Sequence, residues 1–392
     1  MLQRVLRLRQ TRVFSTLAPL DASKIEVSLT DAPTELPEDL STLKFGHTFS
    51  DHMIEVDWCE NEGWGAPSLH PFRNLSLHPA ATSLHYGLEC FEGLKAYRDD
   101  NGHLRLFRPI ENAKRMRSSM ERLMLPSFEE KEWVKLVHKL VAADSKFVPH
   151  KEGYSMYLRP TGISTQDTLG VGPARAAKLF FIASPVGPYY PTGFKAVRLL
   201  ADSRYVRAWP GGTGDKKVGG NYAPCIKAQM DCAAQGYSQN LWLFGDEGYV
   251  TEAGTMNIFM HWINEEGEEE LITPPLDGTI LPGITRDSAI TLCRESGRFS
   301  NVRERQFTMA QLAKAVEEGR VKEIFGCGTA AIVSPVKEVA WEGKSYQIPL
   351  DPSDPEAEAG PAAMFVWKSL TDIQYGRVDD AHGWSEIVEE SL

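Results

Sequence analysis

The chain has 392 residues, enough for two domains each with its own core, and its 42% hydrophobic and 24% charged residues are ordinary for a globular protein. A net charge of −11 argues against nucleic acid or an anionic membrane as the main partner, and no apolar run is long enough to span a bilayer. The six cysteines show neither Cys-x-x-Cys nor metal-ligand spacing, so they read as reduced thiols and no metal site is expected.

Residues 1–20 stand apart. Arg4, Arg7, Arg9 and Arg12 are interleaved with Leu2, Val5, Leu6, Leu8 and Val13, and no acid precedes Asp21. An amphipathic, arginine-rich, acid-poor leader reads as a mitochondrial transit peptide. Cleavage is expected near Phe14 and the destination is the matrix, with the cytoplasm as second choice. A disordered basic tail would have the same composition.

Residues 21–50 read as an irregular arm. Alternation predicts a strand over 52–58 and a hairpin of 94–97 with 103–107 around Asp99-Asp-Asn-Gly102. Helical spacing covers 112–125, stopped by Pro126, and 130–143. A strand over 154–159 is expected to end at Pro160, and 179–183 reads as a buried strand. The Pro/Gly cluster 185–193 marks the best domain boundary. The chain is therefore divided into a smaller N-terminal α/β domain (21–172), a linker (173–192) and a larger C-terminal domain (193–392). The second half alternates strands (239–244, 258–263, 321–325) with helices (223–235, 286–296, 309–318) and ends in a helix over 362–372. The fold class is α/β, of the α+β type.

The segment Gly211-Gly-Thr-Gly-Asp-Lys216-Lys217-Val-Gly-Gly-Asn-Tyr222 frames two lysines with five glycines. Glycine costs conformational entropy, so such a cluster fits backbone that bends sharply or approaches a ligand. Its lysine suits a phosphate clamp or a Schiff-base nucleophile, and a mobile surface loop fits equally well. The Walker phosphate pattern fails, because Lys217 is followed by Val218. Gly326-Cys-Gly-Thr-Ala-Ala331 loosely fits a dinucleotide pattern, but Ile332, Val333 and Pro335 are poor material for the long helix that should follow. It reads as a tight loop for an anion or as a plain strand-to-strand turn. Leu281-Pro-Gly-Ile-Thr-Arg286 offers free N–H groups at a helix start, a natural anion site, although most helix starts bind nothing. Glu252, between Thr251 and Ala253, is a carboxylate near a strand end. A lysine beside a tyrosine, an acid and two anion loops are together the parts of a pyridoxal phosphate site.

At this point the chain resembles the branched-chain amino acid aminotransferases, a family of the fold-type IV pyridoxal phosphate enzymes. The match runs from Phe45 to about Gly376. It is carried by Lys44-Phe-Gly-His-Thr-Phe-Ser-Asp-His-Met53, Leu84-His-Tyr-Gly-Leu-Glu-Cys-Phe-Glu-Gly-Leu-Lys-Ala-Tyr97, Tyr157-Leu-Arg-Pro160, Lys217-Val-Gly-Gly-Asn-Tyr222, Thr251-Glu-Ala-Gly-Thr-Met-Asn257, Leu281-Pro-Gly-Ile-Thr-Arg286 and Gly326-Cys-Gly-Thr-Ala330. It implies a two-domain fold with pyridoxal 5'-phosphate at the domain interface, and a ping-pong transfer of the amino group between leucine, isoleucine or valine and 2-oxoglutarate. It also implies residue roles. Lys217 aligns with the Schiff-base lysine, Tyr222 with the partner of the phenolic oxygen, and Glu252 with the partner of the pyridine nitrogen. Arg115, Thr329 and the N–H groups of Ile284 and Thr285 align with the phosphate grip. Phe45, Tyr86, Phe91, Tyr157 and Val171 match pocket positions, while Tyr157 and Arg159 are candidates for the far carboxylate of glutamate. Thr255 and the Ala330 N–H complete the substrate set. Tyr86 and Val171 reach a neighbouring subunit's site in the family, which implies a homodimer. Animal mitochondrial members carry a redox-sensitive Cys-x-x-Cys where this chain has Ala331 and Ser334, so that switch is expected to be absent. A D-amino acid aminotransferase or an aminodeoxychorismate lyase is the alternative within the fold type. An NAD-dependent dehydrogenase and a non-catalytic scaffold are the readings outside it.

Overall fold

The structure is a computed structural model and describes residues 17–188 and 194–390. Its first half holds β1 (Glu26–Val27), β2 (His52–Cys59), β3 (Gly63–Trp64), β4 (Ser68–Pro71), the short helix α1 (Thr82–Tyr86), β5 (Glu89–Phe91), β6 (Leu94–Arg98) and β7 (Leu104–Phe107). Helices α2 (Pro109–Arg122) and α3 (Glu130–Ala143) follow, then the long strands β8 (Ser155–Ser164) and β9 (Ala176–Val186). The second half runs β10 (Val197–Asp202), α4 (Cys225–Ala234), β11 (Gln239–Phe244), β12 (Tyr249–Ala253), β13 (Met256–Ile263), β14 (Glu269–Thr273), α5 (Ile284–Glu295), β15 (Val302–Glu304) and α6 (Met309–Glu317). It closes with β16 (Val321–Gly328), β17 (Ile332–Trp341), β18 (Lys344–Gln347), α7 (Pro361–Gln374) and β19 (Ser385–Val388).

Two sheets organise these elements. The first has the order β1-β4-β2-β9-β8-β6-β7-β19, with β3 on β2 and β5 on β8. The second has the order β12-β11-β10-β17-β16-β13-β14-β15, and β12 also pairs with β13, which closes the path from β12 through β10 and β16 to β13 into a barrel. Helices α2 and α3 cover the first sheet. In α3 the buried residues Trp133, Leu136, Val137, Leu140 and Val141 recur at helical spacing and pack with Ile54, Leu179 and Phe181 of the sheet. Burial of that stripe, rather than helix propensity, holds the helix in place. Among the described residues no helix is long and apolar enough to cross a membrane.

Three expectations need correction, and a fourth lies mostly outside the described residues. The segment expected as a linker (173–192) contributes β9, which pairs with β2 and β8 at the centre of the first sheet. Its Ala177, Leu179, Phe181 and Ala183 are buried in the core at a period of two, so the strand expected over 179–183 is present and longer, and it leaves no linker over Ala176–Val186. The C-terminal residues do not stay with the second sheet, because β19 returns to pair with β7. Strand β8 does not stop at Pro160. That residue lies between the stretches paired with β6 and with β5, where Glu92 N–H donates to its carbonyl at 2.8 Å and the missing proline N–H is not needed for either ladder. Lastly, the proposed cleavage near Phe14 and most of the leader lie outside the described residues, but residues 17–20 belong to the fold. Ala18 exchanges backbone hydrogen bonds with Glu62 and Trp64, and Leu20 is 2% exposed in the first core.

That anchorage is measurable. Leu20→Ala should lower stability by about 2–5 kcal/mol in urea unfolding, the usual cost of emptying a well-packed leucine site. A change below about 0.5 kcal/mol, the usual range for surface substitutions, would place Leu20 outside the core.

Candidate active site

The glycine-framed lysine segment is held, not mobile. Asn221 stitches it from within: its Nδ2 donates to the Thr213 and Lys216 carbonyls at 2.7 and 2.8 Å, and its Oδ1 accepts from the Thr213 hydroxyl at 2.7 Å. The first sheet and α2 hold it from outside. Lys217 N–H donates to Ser119 Oγ at 2.9 Å, and Phe91 N–H donates to the Lys217 carbonyl at 3.0 Å. One of the glycines is required by close approach: a Cβ on Gly214 would stand 2.6 Å from the Gly278 carbonyl oxygen, whereas one on Gly219 would meet the Glu89 side chain, which would have to move.

This anchoring sends the Lys217 side chain into a cavity of about 450 Å³ at the seam between the two sheets. Its amine lies 3.1 Å from the Tyr222 hydroxyl, 4.9 Å from the centre of the Phe91 ring and 5.3 Å from that of Tyr222. Burial, aided by the nearby Arg115 guanidinium, pushes the Lys217 amine down to about 8, while burial pushes the Tyr222 phenol up to about 12. Lys216 takes the other course: its amine pairs with Asp215 at 2.8 Å and does not line this cavity.

Glu252 stands on β12 opposite Asn257 of β13, 2% exposed. One carboxylate oxygen accepts from Asn257 Nδ2 at 3.0 Å and from Leu281 N–H at 2.9 Å; the other meets Arg207 Nε at 2.7 Å. Burial pushes its carboxyl upward, and Arg207 and these donors oppose that. Arg115, on α2, faces the cavity while making a two-pronged pair with the fully buried Glu92, at 2.7 and 2.8 Å. Burial would raise the Glu92 carboxyl, but Arg115, Lys217 and the Asn112 amide together hold the group below its usual range.

Two backbone devices face the same space. Helix α5 starts at Gly283, which has no side chain to cap it, so its first turn, Ile284 and Thr285, lines the cavity without a side-chain cap. The β16–β17 hairpin brings Thr329 and Ala330 to the wall opposite. No long helix follows the glycine loop: strand β17 does, as the poor helix material at 332–335 implies. An aromatic wall completes the cavity. Phe45 meets Tyr157 edge-on at 4.8 Å, and the Arg159 guanidinium lies 4.6 Å above Phe91 and donates to the Tyr157 hydroxyl at 3.1 Å.

The cavity thus gathers Phe45, Phe91, Arg115, Tyr157, Arg159, Lys217, Tyr222, Glu252, Thr255, Ile284, Thr285, Thr329 and Ala330. Tyr86 and Val171 are not brought to it; they are 42% and 82% exposed, and the Tyr86 hydroxyl donates to the Leu169 carbonyl instead. Sequence reasoning missed Arg207, Glu92, Asn257 and Ser119. Arg207 and Glu92 carry no spacing signal, because each pairs with a residue far along the chain, at positions 252 and 115. Asn257 and Glu92 lie inside the matching segments quoted above and were legible only as part of them.

The Amino-transferase class IV family matches residues 89–339. A branched-chain-amino-acid aminotransferase of Dictyostelium discoideum is 51% identical over 371 residues, covering 94% of this chain and 96% of the relative. The mitochondrial branched-chain-amino-acid aminotransferase of Saccharomyces cerevisiae is 48% identical over 382 residues, covering 97% and 96%, and that yeast's cytosolic form is also 48% identical. Among solved structures, a T.th. branched-chain amino acid aminotransferase complexed with N-(5'-phosphopyridoxyl)-L-glutamate superposes with a TM-score of 0.65 at 27% identity, covering 85% of this chain and 98% of that one. The fold, the cavity and these likenesses agree: the chain belongs to the class IV aminotransferases and, within them, to the branched-chain-amino-acid aminotransferase family.

Proposed function

We propose that the chain transfers the amino group between leucine, isoleucine or valine and 2-oxoglutarate, using pyridoxal 5'-phosphate. The observation that carries this reading is the dehydrated Lys217 amine beside the Tyr222 hydroxyl, in one cavity with a buried carboxylate and two sets of anion donors.

The residues fit the cofactor. Lys217 supplies the amine for covalent attachment and Tyr222 a hydroxyl for the phenolic oxygen. Glu252, fixed by Arg207, suits a protonated pyridine nitrogen. Arg115, the Thr329 hydroxyl and the first turn of α5 offer the cation and donors that a phosphate requires. When bound, pyridoxal phosphate supplies the electron sink that makes the substrate α-carbon acidic. Lys217, once displaced by the substrate amine, would take the proton from that carbon and deliver it to the cofactor's exocyclic carbon in the same half-reaction, and would run the transfer backwards in the other. An amine pushed down to about 8 is neutral often enough near neutral pH to serve as this base. Phe91 and Tyr157 exclude water from the proton's path.

Substrate choice follows from the same wall. Phe45, Phe91 and Tyr157 present an apolar surface, and one methylene is worth only ~1–3 kcal/mol of discrimination, so the three branched side chains are accepted together. The Tyr157 hydroxyl and Arg159 receive the far carboxylate of glutamate, and the Ala330 N–H, with Thr255 nearby, the α-carboxylate. The chain works as a homodimer. Leu84, Tyr86, Leu169 and Val171 are large apolar residues 42–82% exposed on neighbouring segments, a patch suited to a second copy and its site. The arginine-rich leader supports a mitochondrial destination, with the cytoplasm as second choice. The C-terminal part from residue 193, which carries Lys217 and Glu252, forms the larger, cofactor-binding domain.

Purified protein mixed with L-leucine and 2-oxoglutarate should form glutamate; absence of product with cofactor bound would refute the substrate assignment. Lys217→Ala should lose the cofactor's covalent absorbance and at least ~10²–10⁴-fold in turnover, whereas Lys216→Ala should keep both. The apo-protein should also show a defined pH response. Below about 8 most of the Lys217 amine is protonated and only the remaining neutral fraction attacks; above it most of the amine is free. The rate of covalent pyridoxal phosphate capture, followed by visible absorbance, should therefore rise with pH, reach half its maximum near pH 8 and level off about one pH unit above. A rise continuing to pH 10 would mean that burial does not depress this amine.

A further inference from the structure

Lys95 is a second buried lysine, one that the proposed chemistry leaves unused. It lies on β6 in the first sheet, 8% exposed, and its amine donates to the carbonyl of Ala330, at the tip of the β16–β17 hairpin in the second sheet, at 2.8 Å. No salt bridge to Lys95 is found among the described residues. Burial alone pushes its amine down to about 8. A buried amine without an acid is costly, so its one bond across the seam calls for a reason.

The hairpin tip supplies one. Ile332 holds a φ of +63°, a backbone state that β-branched residues avoid, and Val333 N–H closes a three-residue turn onto the Ala331 carbonyl at 2.8 Å. Strain of this kind persists only where neighbours hold it. The tip also forms a wall between two spaces. Ala330 and Ala331 line the catalytic cavity on one side, and on the other a largely apolar cavity of about 350 Å³ that Lys95 also lines. The Ala330 carbonyl points to Lys95. In a trans peptide the following N–H points the opposite way, so the Ala331 N–H is turned away from Lys95, and Ala331 itself lines the catalytic cavity.

We propose that Lys95 is a positioning residue: by pinning the Ala330 carbonyl it fixes the 330–331 peptide so that the Ala331 N–H, beside that of Ala330, receives the substrate's α-carboxylate. This rests on the reading above that the α-carboxylate binds at the hairpin tip. Without the bond the peptide is free to rotate and present its carbonyl oxygen to the carboxylate.

The test uses the cofactor-loaded enzyme and 4-methylvalerate, which has the leucine carboxylate and side chain but no amine. Calorimetry should give a dissociation constant for Lys95→Met raised roughly tenfold or more, the loss expected for a hydrogen bond to a charged group, with visible absorbance and melting temperature kept. Lys95→Arg, which still donates, should restore binding to near wild type. Single-turnover rates should fall with L-leucine but not with 3-methylbutylamine, which has no carboxylate. If Lys95→Met does not fold, Lys95→Gln, too short to reach the carbonyl, replaces it with the same expectation. Unchanged 4-methylvalerate affinity, or an equal loss with 3-methylbutylamine, overturns the proposal. Failure of the wild-type enzyme to bind 4-methylvalerate would instead overturn the substrate reading on which it rests.

Discussion

The structure depends on the dehydration of one amine. A lysine in water is protonated near neutral pH and is neither a nucleophile nor a base. Here Lys217 is enclosed by Phe91 and Tyr222, and burial brings its amine down to about 8. That enclosure needs both halves of the molecule. Phe91 arrives on β5 of the first sheet, Lys217 on the loop before α4, and Ser119 of α2 holds the lysine's backbone. Neither sheet alone could dry the site.

Charge at the seam is handled by pairing. Arg115 and Glu92 face each other on α2 and beside β5, and Arg207 and Glu252 meet below the barrel's β12. Each pair removes two ions from water, which is costly, and each is offset by short, well-directed bonds to the partner and to backbone donors. As hydrophobic isosteres these residues would pack as well. As ions they leave Arg115 and Glu252 lining one cavity, each held by a charged partner remote in the chain.

Much of this was legible before folding. Helices α2, α3, α5, α6 and α7 follow apolar spacing or a clear start signal, and most of the strands named from alternation are present. Lys217 and Tyr222 lie five positions apart, so local geometry accounts for their 3.1 Å approach. The strand expected over 179–183 is present within β9, but its proline and glycine neighbours misled the domain division: they suggested a linker over 173–192, while Leu179 and Phe181 pair with β2 and β8 far along the chain. Pro160 failed as a stop signal for a similar reason: the partner strand changes at that residue, and its absent N–H is not called on.

By itself, then, the amino-acid sequence determined which residues could do the chemistry, because an amine, a phenol, a carboxylate and uncapped backbone N–H groups are fixed by residue type and by short-range turns. Only the tertiary structure decided which lysine is dry and which is wet. Lys216 and Lys217 are neighbours in the same glycine-rich run, and no rule of composition separates them. The fold does so, since Ser119 and Phe91 grip the backbone at 217 and aim that side chain into the seam, while Asp215 holds Lys216 outside the catalytic cavity. Arg207, Glu92 and Lys95 became visible only there too, since desolvation and ion pairing depend on distances between residues remote in the chain.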